Sequence, residues 1–344
     1  MRETVVHAPG RRRGVPALPI KDGVNPSRVR VPAEAAGLTA GQYLAAVIAG
    51  QRHRHPDDDD HALDRRFSGG QVRTRQGRIL TPDDPVTVGE DIFFYRIPVD
   101  RDLPVCELPI VFSDRHLTVV DKPHGLATVP KGAHIIRSVV VQARRATGNM
   151  DLVPVHRLDR LTRGLVVCAN NPAERGAYQQ LFADTKVDKT YTAIAAGPAV
   201  AGGGAPDVPD RVCNRLKKTH GQLQAQVEDG ACNAVTVIDA VTVLTDDQAR
   251  RAVALFGPPA VDCGAQPVGL YRFRLRPRTG KTHQLRKHLA DLGYGILGDP
   301  LYPVVDRPRL NDTSAPPLAL ACTGISFTDP VTGGPRRFSL QGTV

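Results

Sequence analysis

One stretch constrains this chain more than any other: His156-Arg-Leu-Asp-Arg-Leu-Thr-Arg-Gly-Leu-Val-Val-Cys-Ala169. Its second half, Gly164 to Ala169, is a short apolar run of the kind that forms a buried strand. Its first half is polar and sets one carboxylate, Asp159, among three arginines, Arg157, Arg160 and Arg163. A loop that leads straight into a buried strand is held by the core, so a side chain on it keeps a fixed aim. An exposed ionic loop would satisfy the same composition, and exposed ion pairs contribute little. Taken alone, the stretch leaves both readings open.

A second stretch decides between them. It runs Arg278-Thr-Gly-Lys-Thr-His-Gln-Leu-Arg-Lys-His-Leu-Ala-Asp-Leu-Gly293 and continues as Tyr-Gly-Ile-Leu-Gly-Asp-Pro-Leu-Tyr302. With Val120-Asp-Lys-Pro-His-Gly125 and Lys189-Thr-Tyr191, the two stretches resemble the motifs of the RluA family of pseudouridine synthases, in order, from Val105 to Leu340. The resemblance implies an α+β fold: a mixed, mostly antiparallel sheet with flanking helices, preceded by a small S4-like domain. It implies an RNA substrate, with large-subunit ribosomal RNA favoured over transfer RNA, and chemistry that needs no metal and no cofactor.

The reaction breaks the N-glycosidic bond of a uridine and rejoins the sugar to C5 of the same base. One ionised carboxylate is enough if it is held beside the sugar of a flipped nucleotide. By resemblance that carboxylate is Asp159, as nucleophile at C1′ or base at C2′; the sequence does not choose. Arg286 matches the basic residue that pairs with it, and Tyr191 matches a tyrosine that stacks on the base and helps remove the C5 proton. Leu320 and His156 are expected in the substrate pocket. Arg157, Arg160, Arg163, Lys189, Lys281, His283 and Lys287 are expected to meet RNA. Arg163, Lys281, Tyr294, Gly295 and Ala321 depart from the usual family residues, which bears on target choice rather than on the three central residues.

Charge agrees with a polyanionic partner. The chain carries 45 Lys+Arg against 35 Asp+Glu, and residues 101–344 hold 30 of the former against 22 of the latter, so the surplus travels with the motifs. The six cysteines form no C-x-x-C pair, which argues against a zinc knuckle or a redox motif. No secretory leader and no long apolar run is seen, so a soluble monomer in a reducing cytoplasm is expected, with no membrane partner.

The organisation read along the chain is a flexible basic tail over 1–26, a small divergent S4-like domain over 27–97, a Pro-rich linker over 98–109 and a catalytic domain over 110–344. Helices are expected at 40–49 behind Thr39, at 134–147, after Asn171 and at 282–292. Strands are expected at 111–112, 117–120, 187–196, 222–228, 234–244, 270–276, 318–327 and 338–340. Residues 246–267 read as an irregular or partly helical connection.

Rival readings are thin. A paired-carboxylate hydrolase would need Asp121 or Asp299 beside Asp159; a metal site would need His156, His283 and His288 to converge. A catalytically inactive RNA-binding protein would be expected to have lost Asp159 or Arg286.

Overall fold

In the computed structural model the chain divides into two compact units, Met1–Leu103 and Pro104–Val344. The structure describes residues 18–104, 106–261, 267–312 and 314–340. Most of the basic tail read over 1–26, and Cys263, lie outside the described residues.

The first unit comprises β1 (Ser27–Arg30), α1 (Ala40–Ala49), α2 (Asp60–Ser68), β2 (Arg73–Thr74) and β3 (Asp91–Phe94), the strands ordered β1-β3-β2 and antiparallel. Helix α1 starts where Thr39 and Gln42 cap each other reciprocally. It buries Tyr43, Leu44 and Ile48, while Val47 stays half-buried. Helix α2 was not expected. The run His53–Asp60 reads as polar and as a break in the helical pattern, yet Asp58 is wholly buried against Arg66 and Asp59 caps the helix at Ala62. A carboxylate whose partner lies eight residues on looks, in sequence, like any exposed acid.

The second unit is built on one sheet of twelve strands. Its elements are β4 (Ile110–Ser113), β5 (Leu117–Lys122), α3 (Val139–Thr147), β6 (Val153–Pro154), β7 (Arg163–Ala169), α4 (Arg175–Ala183), β8 (Asp188–Pro198), β9 (Arg211–Lys217), β10 (Gln226–Glu228), β11 (Ala234–Val243), α5 (Asp246–Phe256), β12 (Val268–Pro277), α6 (Gln284–Asp291), β13 (Gly295–Ile296), α7 (Arg307–Asn311), β14 (Leu320–Thr328) and β15 (Pro335–Ser339). The strand order is β10-β9-β11-β12-β8-β14-β7-β5-β4, with β13 added to β8, β15 to β14 and β6 to β7. Every pair is antiparallel except β14 with β7. The mixed, mostly antiparallel α+β sheet read from the sequence is what the chain forms.

The differences have local causes. Helix α3 begins at Val139 rather than at His134, because Ser138 supplies the N-cap. The turn after Asn171 delays α4 to Arg175. Strand β9 was missed; its alternation is hidden by Arg211, Arg215 and Lys217 on an exposed face. The connection after β11 holds a full helix, α5, opened by a reciprocal cap between Thr245 and Gln248. The cysteine reading also missed a pairing: Cys213 on β9 is disulfide-bonded to Cys232, which precedes β11.

The register across the middle of the sheet places the site. Leu275 of β12 pairs with Tyr191 of β8, Tyr191 with Cys322 of β14, and Cys322 with Gly164 of β7. The parallel pair β14–β7 closes around that glycine. Gly164 has φ +115°, and a Cβ there would lie 2.3 Å from the Cys322 carbonyl oxygen. Only glycine fits both the dihedral and the approach. The Asp159 loop therefore enters β7 one strand away from Tyr191's neighbour.

Candidate active site

The Asp159 loop is braced by backbone contacts on both sides of the carboxylate. Thr128 Oγ1 donates to the Leu158 carbonyl at 2.8 Å and accepts from the Leu158 amide at 3.1 Å. Lys122, fully buried at the end of β5, donates to the carbonyls of Leu126, Arg160 and Pro123 at 2.8, 3.0 and 3.1 Å. The Gly125 amide donates to the same Arg160 carbonyl, and the Thr162 amide donates to the Asp159 carbonyl. Burial pushes the Lys122 ammonium down to about 7, against the pull of Asp159, which favours its charged form. One lysine thus ties the turn after β5 to the loop that carries Asp159.

Helix α6 brings the second motif to the same place. His283 adopts the left-handed conformation, φ +60°, and so ends the preceding loop instead of beginning the helix. Gln284 then fastens the loop: its Oε1 accepts from Thr279 Oγ1 and from the Lys281 amide, and its Nε2 donates to the Val235 carbonyl. His288 is engaged at both ring nitrogens, with Thr236 and with Asn214, so α6 is pinned to β11 and β9. That role leaves His288 out of any metal set with His156 and His283.

Arg286 is 2% exposed. Its Nε and Nη2 fork onto Asp299 at 2.7 and 2.6 Å, and its guanidinium lies over the Tyr302 ring. Burial disfavours its charge, but Asp299 outweighs burial and raises the pKa, with Asp159 adding to the effect at longer range. The direct partner expected from the sequence is therefore corrected. Arg286 pairs with Asp299, and Asp159 adds to the stabilisation of its charge without a direct bond. Among the described residues no side chain hydrogen-bonds or ion-pairs with the Asp159 carboxylate.

A cleft of about 660 Å³ joins these parts. Asp159, Tyr191 and Arg286 all line it, as do His156 and Leu320. Of the expected RNA-binding residues, Arg157, Lys189, Lys281 and His283 line it too. Arg160, Arg163 and Lys287 do not: Arg160 turns its guanidinium to the Leu310 carbonyl, Arg163 pairs with Asp121, and Lys287 pairs with Asp291. Tyr191 is buried beside the Cys322 thiol; burial first, then Cys322, raises its pKa well above the ordinary value, so it is a neutral phenol. His156 stacks on Phe182 at 4.4 Å and accepts from the Val167 amide; desolvation, then the Lys189 charge, pushes it down to about 3. It is a neutral wall, not an acid. Lys189 is also lowered by burial.

The family model described as RNA pseudouridylate synthase matches residues 116–291, just over half of the chain. The chain belongs to that family. A ribosomal large subunit pseudouridine synthase D of Xanthomonas campestris pv. campestris is 30% identical over 318 residues, covering 87% of this chain and 85% of that one. The protein of the same description from Zymomonas mobilis is 27% identical over 286 residues, covering 78% and 80%. A dual-specificity RNA pseudouridine synthase RluA of Haemophilus influenzae is 29% identical over 235 residues, covering 68% and 93%. The family read from the motifs is thus the family found, and its members isomerise uridine in RNA.

Several supporting residues were invisible in the motifs. Thr128 sits in an unremarked turn, and Cys322 reads as one more small residue of an apolar strand. Lys122 stood in the motif Val120-Asp-Lys-Pro-His-Gly125, but the motif does not say that it is buried on three carbonyls. Among the described residues no helix is long and apolar enough to cross a membrane.

Proposed function

We propose that the chain converts uridine to pseudouridine in large-subunit ribosomal RNA, with Asp159 as the reacting carboxylate. The observation that carries the assignment is the Asp159 carboxylate, unpartnered among the described residues and held on a braced loop in a cleft it shares with Arg286 and Tyr191. An anion kept clear of hydrogen bonds, in the field of a buried guanidinium, is ready to meet the sugar of a flipped nucleotide. The N1–C1′ bond breaks, the C5–C1′ bond forms, and the C5 proton is exchanged for one on N1; nothing is oxidised or reduced.

Tyr191 lies against the base as a neutral phenol, and Leu320 forms the apolar floor. Arg157, Lys189, Lys281 and His283 are the residues placed to meet RNA at the cleft. The first unit is assigned as an S4-like accessory domain for RNA. The ribosomal target is supported by the printed descriptions of the Xanthomonas and Zymomonas relatives. The test is release of tritium from RNA labelled at uridine C5, followed by mapping of pseudouridines in a strain lacking the gene. Loss of a transfer-RNA site with every ribosomal site intact would overturn the target; no tritium release from any cellular RNA would overturn the activity.

A further inference from the structure

The bridge between Cys213 and Cys232 joins residues 19 apart in sequence, and both cysteines are exposed. The free cysteines among the described residues are buried or half-buried. On β9, Arg211 and Arg215 alternate with Cys213 onto one exposed face. Cations on that face favour an approaching thiolate and a thiolate that leaves. An exposed bridge so placed can exchange with outside thiols, whereas a buried one is sealed from them.

What the bridge fastens is the wall of the cleft built by the second motif. Cys213 is paired in register with Val235 of β11, and Asn214 with Ala234. Val235 holds both ends of the motif loop. Its amide donates to Thr279 Oγ1 at 2.8 Å, and its carbonyl accepts from the Arg278 amide and from Gln284 Nε2, both at 2.9 Å. Asn214 Oδ1 meets His288 Nε2 on α6 at 2.9 Å. Asn233, next to Cys232, donates its amide to the Asn214 carbonyl, and its side chain takes both backbone groups of Leu216. The loop and helix held in this way carry Lys281, His283 and Arg286, which line the cleft. Little else secures β9. Its outer neighbour β10 spans three residues, and its register with β11 runs from Ala234 to Val237. Without a covalent tie, a strand so near the sheet's edge is ready to fray.

We propose that the Cys213–Cys232 bridge is a thiol-responsive clasp: closed, it keeps the Lys281–Arg286 wall in place for RNA; opened, it lets that wall loosen and slows the enzyme. The kinetic clause rests on the isomerase reading above; the clasp itself does not. Cys213 and Cys232 act through Val235 and Asn214 and are positioning residues, since neither lines the cleft. Opening takes a dithiol. Its thiolate attacks one bridge sulfur to give a mixed disulfide, and its second thiol then displaces the protein sulfur. The protein gains two thiols, and the dithiol is oxidised to a cyclic disulfide.

The test uses the full chain, oxidised in air or reduced with dithiothreitol, beside Cys232→Ser and Cys106→Ser. Peptide mapping after alkylation should find Cys213 cross-linked to Cys232 in the oxidised chain and both free after reduction. Reduction should speed amide hydrogen exchange by about tenfold over α6 and at Val235 and Thr236, because losing a bridge lowers the free energy of local opening. Exchange in β5 and β7 should not change. Turnover by tritium release, as kcat/KM, should fall by about tenfold, inside the roughly hundredfold that a displacement of about 1 Å can cost, and should return on reoxidation. Cys232→Ser should stay slow with or without reductant, and Cys106→Ser should respond as wild type does. A chain that never forms the cross-link, or whose exchange over α6 ignores reduction, refutes the clasp. A response that persists in Cys232→Ser belongs to another cysteine and refutes it equally. If exchange responds while turnover is present and unmoved, the kinetic clause is overturned. If exchange responds but the oxidised chain releases no tritium from any RNA, the isomerase reading fails and the clasp stands.

Discussion

Two aspartates meet the field of the same guanidinium and are treated in opposite ways. Asp299 is saturated: its Oδ1 accepts from Arg286 Nη2 and from the Leu301 and Tyr302 amides, and its Oδ2 accepts from Arg286 Nε. Asp159 sits on a loop braced through its backbone, and among the described residues its carboxylate has no hydrogen-bond or ion-pair partner. A buried carboxylate already accepting four hydrogen bonds is committed to the scaffold rather than to a substrate. A carboxylate held in place but left unbonded is free for one. The contrast separates scaffold from chemistry more sharply than motif membership, since both residues lie in motif stretches.

The largest expected effect follows from the unbonded member. Asp159→Asn keeps shape and removes charge, so turnover measured by tritium release should fall by on the order of a thousandfold or more. The unfolding midpoint and RNA affinity should stay near wild type, because no partner of the carboxylate is lost. Near-normal turnover in this variant would remove Asp159 from the chemistry.

The saturated member should respond in stability. Asp299→Ala leaves Arg286 charged, buried and unpaired, which costs about 3–5 kcal/mol in comparable buried pairs. Urea unfolding reads this directly as a lower midpoint. A loss below about 1 kcal/mol, the range of an exposed pair, would mean that the fork onto Asp299 is not what holds Arg286, and the comparison would collapse.

The same contrast explains what the sequence made legible. Asp159, Tyr191 and Arg286 could be named from motifs, and the register Leu275–Tyr191–Cys322–Gly164 shows why stretches so far apart meet. What was illegible is pairing. Nothing in the spacing says that Arg286 forks onto Asp299, that Arg160 turns away from the cleft, or that Asp58 is buried beside Arg66. Period and capping report the local conformation of one segment; ion pairs depend on which segments the topology brings together. The Cys213–Cys232 bridge was missed for the same reason.

Lys122 gives the contrast a pH dependence. Its folded value is about 7 and its ordinary one 10.5. Between these, the unfolded chain holds a proton on Lys122 that the folded chain does not, so stability from this residue should rise as pH climbs through that window. Lys122→Met should flatten the rise in urea midpoints across it. Asp159 favours the charged form of Lys122, so Asp159→Asn should extend the window downward. An unchanged pH profile in Lys122→Met would show that its three carbonyl contacts, not its burial, govern its proton.

The smallest effects lie among the surface cations, where the same rule of satisfied against unsatisfied charge applies. Lys281 lines the cleft, exposed, and its ammonium meets no carboxylate among the described residues. Lys287 lies one helical turn from His283, outside the cleft lining, and pairs with Asp291 four residues on. An i,i+4 pair of this kind is worth about 0.3–0.5 kcal/mol. Lys281→Ala should therefore lower the salt slope of RNA binding by about one, as a lost phosphate contact does, with no change in unfolding midpoint. Lys287→Ala should do the reverse: a barely measurable loss of stability and an unchanged slope. If both lysines alter the slope equally, RNA spreads past the cleft along α6, and Asp291 would then be shown to give up its partner when RNA arrives.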